Sequence, residues 1–306
     1  MHKLHLKPLS ESRIALVGAT GGLGQALTLL LCEQRPALLC LCGRNDLKLQ
    51  SLALKVQSCG IECRTFAFDL RDEAEVSSAA RALAALEVDR LVILSGISTT
   101  AGVLGIEDSF EIERGFAVNV LGPAKLIYQL ASLFHAVSVQ QDAAAFEHQI
   151  SVKKPQSLQI AVVSSLASLL ALPSSAVYSA SKAALSVYVR ALSPVLRSEG
   201  IRFSLIHPGF FVSPMSERYQ GRQMFKCSTE FAAGKVLSVM KSGKSFAAFP
   251  RSLAWGVRLL SVLPFALQTA FLQRFIHFTV KPDAERQAYM NEHKASLPKQ
   301  GGADGL

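Results

Sequence analysis

Apolar runs of strand length recur at Ile14–Val17, Leu38–Leu41, Cys63–Phe68, Leu91–Leu94, Gln159–Val163 and Phe203–Ile206. Continuous runs of this kind suit strands buried on both faces. Between them lie segments with helical spacing, among them Leu23–Gln34, Ala74–Leu86, Phe110–Phe134 and Ser179–Glu199. Strand and helix alternate, and that order predicts an α/β fold built on a doubly wound parallel sheet. With 306 residues, half of them hydrophobic, the chain suits one large core carrying a C-terminal elaboration.

Two segments break the alternation. The polar stretch 138–157 precedes the fifth strand, which places it at the N-terminal edge of a parallel sheet, away from the ligand-binding edge. The stretch 246–280 is rich in Leu and Phe and holds Trp255, but is broken by Arg251, Arg258, Pro264 and Arg274. Its longest uncharged part, Leu259–Gln273, is shorter than the ~20 apolar residues a membrane span needs. Three readings of it stay open: helices packed on the domain or on a dimer mate, a peripheral membrane-surface contact, and a wall for a lipophilic substrate.

Met1–Arg13 carries no apolar run of signal-peptide length, so the expected location is cytoplasmic, with membrane association open. Cys32, Cys40, Cys42, Cys59, Cys63 and Cys227 form no Cys-x-x-Cys pair and have no histidines at zinc-ligand spacing. They read as reduced thiols, and no metal site is expected. The net charge of +9 comes from scattered residues without a run of five or six, so nucleic-acid binding is not the reading; a positive field does suit capture of an anionic cofactor.

The segment Ile14-Ala15-Leu16-Val17-Gly18-Ala19-Thr20-Gly21-Gly22-Leu23-Gly24 reads as a strand, a glycine-rich turn and a helix start. Such a turn lets backbone approach a pyrophosphate, and the helix N-terminus offers unpaired N–H groups. Gly18, Gly22 and Gly24 fit one glycine pattern, Gly18, Gly21 and Gly24 another. Where an acidic residue would hold the ribose 2′-hydroxyl of NAD, the chain has Arg44, a cation for a 2′-phosphate, so NADP(H) is favoured over NAD(H). Asp69 reads equally as a cap for the next helix and as an acceptor for an adenine amino group.

Tyr178 and Lys182 stand four residues apart, on one face of a helix. The ammonium is expected to favour the phenolate and to pull the tyrosine below its usual value of about 10. Thirteen residues earlier, Ser165 follows the fifth strand and can donate to a substrate carbonyl, with Ser164 as its adjacent competitor. Asn119 is polar within an apolar helix and needs partners if buried.

In this order, the glycine turn, Asn119, Ser165, Tyr178, Lys182 and His207-Pro208-Gly209-Phe210-Phe211-Val212-Ser213 resemble the short-chain dehydrogenase/reductase family over roughly Arg13–Met215. The similarity is to its shorter, single-domain branch, and it selects Gly18, Gly22 and Gly24. The resemblance implies a Rossmann-type catalytic domain over 1–245, with a substrate lid near 214–230, and a helical C-terminal extension and polar tail over 246–306. It implies that Tyr178 is the general acid in reduction, that Lys182 tunes it and binds the nicotinamide ribose, and that Ser165 orients the carbonyl. Asn119 would steady Lys182.

The implied cofactor contacts are Gly18, Thr20, Gly21, Gly22, Leu23, Gly24, Arg44, Asp69, Leu70, Gly96, Asn119, Tyr178, Lys182, Pro208, Gly209, Val212 and Ser213. Two departures stand out: Leu94-Ser95-Gly96-Ile97 replaces the family's Asn-Ala-Gly, and 138–157 lengthens the interval from Asn119 to Ser165. The implied activity interconverts a ketone and a secondary alcohol by hydride transfer. The expected substrate is apolar, such as an acyl chain or steroid, with Tyr219, Met224 and Phe225 in the lid, and a homo-oligomer is the expected assembly. A catalytically silent dinucleotide sensor is the competing reading; the intact Ser165, Tyr178 and Lys182 argue against it.

Overall fold

The computed structural model describes residues 6–102, 105–148, 157–173, 175–221, 223–275 and 278–293, with backbone alone for 137–148 and 278. Its elements alternate from the start: β1 (Arg13–Val17), α1 (Gly22–Cys32), β2 (Leu38–Gly43), α2 (Asp46–Ser58), β3 (Cys63–Ala67), α3 (Glu73–Ala85) and β4 (Arg90–Ile93). There follow α4 (Ser109–Phe116), a π-helical turn (Ala117–Leu121), α5 (Gly122–His148), β5 (Leu158–Val163), α6 (Ala176–Leu196) and β6 (Ile201–Pro208). The C-terminal part adds α7 (Pro214–Glu217), β7 (Tyr219–Gly221), α8 (Thr229–Ser242), β8 (Phe246–Phe249), α9 (Arg251–Ser261), α10 (Phe265–Phe275), β9 (Phe278–Val280) and α11 (Ala284–Glu292).

Seven strands form one parallel sheet in the order β3-β2-β1-β4-β5-β6-β8. Alternate residues of β1 explain why it is apolar throughout: Ile14 and Leu16 face the layer of α1, α2 and α8, while Ala15 and Val17 face that of α3, α5 and α6. Burial on both faces leaves no solvent-facing register for polar residues. The order reverses between β1 and β4, and at such a switch point the strands' C-terminal ends open a crevice.

The sequence reading starts the C-terminal extension at Phe246, but Phe246–Phe249 is the seventh strand of the sheet, paired in register with Leu205–Pro208. The helical extension begins at Arg251. Of α9 and α10, only Leu260 and Leu272 are buried, packed on Leu170. The polar stretch 138–157 begins as a continuation of α5 as far as His148; the residues from 149 to 156 lie outside those described.

Beyond α10 the chain returns to the ligand-binding edge. There β9 pairs antiparallel with β7, joining Tyr219 to Val280. Asp283 accepts from the Arg114 guanidinium of α4 at 2.9 Å and from Arg218 at 3.1 Å, while Arg286 meets Asp108 at 2.7 Å. Arg114 is nearly buried and also grips the fully buried Glu111 at 2.8 Å. Burial alone would raise the Asp283 carboxyl; the Arg286 amide and the Arg114 and Arg218 guanidiniums hold it below the usual range.

Candidate active site

A cleft of about 890 Å³ runs along the C-terminal ends of β1, β2, β4 and β5. Its floor is the turn from β1 into α1. Gly18 sits at φ +91°, and a Cβ there would lie 2.9 Å from the Ser95 amide, so both conformation and space demand glycine. A Cβ on Gly24 would meet the Gly18 carbonyl at 2.2 Å, which fixes how closely α1 packs on the turn. Gly21 is the N-cap of α1 and supplies no side-chain cap, and no acid occupies the first turn. The first amides of α1, including those of Gly22, Leu23 and Gly24, therefore keep donor capacity for an anion.

Thr20, Leu70, Gly96, Pro208, Gly209 and Ser213 line the same cleft, as do Arg44 and Asp69 at its far end. Val212 does not: its amide donates to the Cys227 carbonyl at 3.0 Å. Asp69 does not cap α3, because Asp72 does so through the Glu75 amide. Its carboxylate is instead gripped by Arg71, at 2.7 Å from Nη2, and is held below the usual range despite burial. Ser213 closes a capping box with Ser216 at the start of α7.

At the middle of the cleft stand Ser165, Tyr178 and Lys182. Helix α6 begins where the buried Glu107 carboxylate accepts from the Val177 amide at 3.1 Å, a favourable charge at a helix N-terminus. This brings Tyr178 and Lys182 to the cleft on successive turns. The two serines after β5 divide their work. Ser164 is buried, donating to the Lys182 carbonyl at 3.0 Å and meeting Ser186 at 2.8 Å, whereas Ser165 remains in the cleft and hydrogen-bonds Tyr178.

Asn119, fully buried, lies in the π-helical turn, a feature often found at functional sites. Its side chain accepts from the Ile97 amide at 2.8 Å and donates to the Ile97 carbonyl at 3.0 Å and to Ser181 at 2.9 Å. It clamps the strand end that replaces the family's Asn-Ala-Gly. Lys182 Nζ lies behind Gly96, where a Cβ would approach it to 2.7 Å, and donates to the Val163 carbonyl at 3.4 Å.

The electrostatics correct one expectation. Burial raises the Tyr178 phenol above its ordinary value, and the hydrogen bond from Ser165 only partly opposes this. The lysine does not pull it down: its Nζ is 6.0 Å from the ring centroid, and burial lowers Lys182 itself to about 8. Desolvation, which penalises either charge, outweighs their mutual attraction. Behind them His207 meets Ser186 at 3.1 Å and is lowered to about 4 by burial and nearby cations, so it is neutral.

Sequence reasoning missed several cleft residues. Ser95, Ile97 and Met215 line it, and so do Arg71 and Ala284. Glu285, beside Ala284, reaches back to Arg44 at 3.3 Å and to Arg71 at 2.5 Å. Only Asp69, read from its place after the third strand, pointed toward Arg71's neighbourhood; Glu285 lies 241 positions from Arg44 and had no local signal. The residues present fit a nicotinamide dinucleotide: Ser95 Oγ, at the cleft wall, is buried without a partner, α1 offers free amides, and two arginines stand at the far end.

The family model described as short chain dehydrogenase matches residues 12–223. An uncharacterised oxidoreductase of Myxococcus xanthus is 29% identical over 266 residues, 86% of this chain and 97% of its own length. An L-xylulose reductase of Caenorhabditis elegans is 28% identical over 206 residues, 67% of this chain and 74% of its own. The fold matches that of a short chain dehydrogenase from Burkholderia cenocepacia in complex with NADP, with TM-score 0.69 and 20% identity over 86% of this chain and 98% of that one. The chain belongs to the short-chain dehydrogenase/reductase family and is an oxidoreductase of the CH–OH/C=O couple with a nicotinamide-dinucleotide-binding fold.

Proposed function

We propose that the protein reduces an apolar ketone with NADPH. The observation that carries this reading is Tyr178, kept protonated by burial and hydrogen-bonded to Ser165, in the same cleft as the Gly18–Gly24 turn. A bound dinucleotide supplies the hydride. Ser165 donates to the carbonyl oxygen and Tyr178 delivers its proton there as negative charge develops, work that a neutral phenol is suited to do. Lys182 would hold a positive charge behind Gly96 toward a bound nicotinamide, and Asn119 fixes the strand end at Ile97.

Arg44 and Arg71 support the preference for NADPH, since both line the far end of the cleft and offer guanidiniums to a 2′-phosphate. Tyr219, buried beside Tyr178 and edge-on to Phe210 at 5.5 Å, supports an apolar substrate. The test is NADPH oxidation over a panel of lipid-like ketones. Tyr178→Phe is expected to lose about 10²–10⁴ in kcat with cofactor affinity unchanged. Equal activity of the two proteins sinks the proton-donor role, and dinucleotide binding without turnover of any carbonyl favours a silent sensor.

A further inference from the structure

We infer that α9 and α10 are the surface by which this protein docks on an anionic lipid bilayer. Between Glu230 and Asp283 lie 52 residues without a single Asp or Glu, holding seven cations: Lys235, Lys241, Lys244, Arg251, Arg258, Arg274 and Lys281. The same stretch carries a cluster of exposed apolar side chains. Trp255 is 72% exposed, Val262 75% and Phe265 80%, with Leu259, Leu267 and Phe275 also more than half exposed.

The helix pair packs on the domain along one side only. Among its residues only Leu260 and Leu272 are buried, and an 11-residue helix gains little stability from its own hydrogen bonds. Trp255, Leu259 and Val262 recur at helical spacing on the outer side of α9, opposite the inward Val257 and Leu260. Arg251 and Arg258 flank that side. Aromatic and aliphatic side chains bordered by arginines, on helices too short to cross, are the composition of a surface-lying membrane contact.

A second copy of the chain is the weaker occupant. A two-fold dimer joins a patch to itself, so it would bring these cations against their own copies with no carboxylate in the stretch to answer them. Anionic headgroups complement the charge directly. The position adds a consequence for the cleft: α9 and α10 pack on Leu170, five residues after Ser165, and β9, just after α10, pairs with β7 of the lid. A bilayer against α9 and α10 would thus be linked to the lid through β9 and β7.

Docking does not rest on the reductase reading, and its test needs no substrate. Trp255 is the chain's only tryptophan, so selectively excited tryptophan fluorescence reports on this patch alone. Titration with phosphatidylcholine vesicles containing phosphatidylserine is expected to shift its emission to the blue. Partition should fall about tenfold in pure phosphatidylcholine vesicles or in about 0.5 M salt. The doubly substituted Phe265→Glu/Phe271→Glu protein should lose the shift while keeping its thermal unfolding midpoint. Unchanged emission throughout the lipid titration overturns the inference, as does equal partition into neutral vesicles. A lipid-free self-association that the double variant abolishes overturns it in favour of a second copy.

Discussion

Arg44, immediately after β2, and Glu285, in the first turn of α11, form an ion pair at 3.3 Å at the far end of the cleft. The same carboxylate holds Arg71 at 2.5 Å. Both arginines are partly solvent-exposed, so each contact contributes no more than about 1 kcal/mol. A 2′-phosphate that replaces the carboxylate must still displace it. Glu285→Gln is therefore expected to tighten NADPH binding up to about fivefold while leaving NADH unchanged. Isothermal titration with both dinucleotides checks this, and equal tightening of the two would assign the effect to general charge.

Lys182→Met is expected to inactivate the protein and stabilise its ligand-free form. The ammonium is almost fully buried with one long hydrogen bond, and its value falls from 10.5 to about 8. At pH 7 it is charged both folded and unfolded, so folding carries an unfavourable contribution of about 3 kcal/mol. Between pH 8 and 10.5 the unfolded chain binds the extra proton, so wild-type stability from this group rises with pH. The advantage of the methionine should shrink across that window in urea unfolding.

His207 has the complementary signature in acid. Its value is lowered from 6.5 to about 4 by burial, with Arg190, Lys182 and Arg258 adding to it. Between those limits the unfolded chain binds the proton and the folded one does not, so stability is lost as pH falls from 6.5 through 4. The His207→Gln protein should show a flatter urea midpoint over that interval. Asp69 and Asp283, held below 3.8, would act only at still lower pH.

Two glycine substitutions should move stability in opposite directions. Gly24→Ala puts a Cβ 2.2 Å from the Gly18 carbonyl, a backbone atom that cannot step aside, and should displace α1 from the turn and weaken dinucleotide binding. Gly234→Ala meets nothing within 4 Å in the middle of α8 and should stabilise by about 1 kcal/mol. Thermal unfolding of the two variants compares them directly.

What the sequence made legible was what local spacing encodes. The first six strands were visible because burial on both faces forces continuous apolar runs, and Tyr178 and Lys182 because a helix returns to the same face after four residues. Phe246–Phe249 was misread because four residues flanked by an apolar helix show no period of their own. The direction of the Tyr178 shift was misread for a different reason: a neighbouring lysine is written in the sequence, but the burial that outweighs it is a product of the tertiary fold. Glu285 and Arg71 reach the site through tertiary pairing, and neither carries a motif.

The rim of the cleft is the last described part of the chain to be synthesised. Translation at about 5–20 residues per second completes β8 a few seconds before β9 and α11 emerge. The sheet and the glycine turn are then all present, while the strand that pairs with β7 and the carboxylates that grip Arg114 and Arg44 are still to come. A nascent chain thus offers a dinucleotide an open groove, with Arg44 not yet paired to Glu285, before α11 folds against it. Order of synthesis makes the cofactor a candidate template for the closing segment.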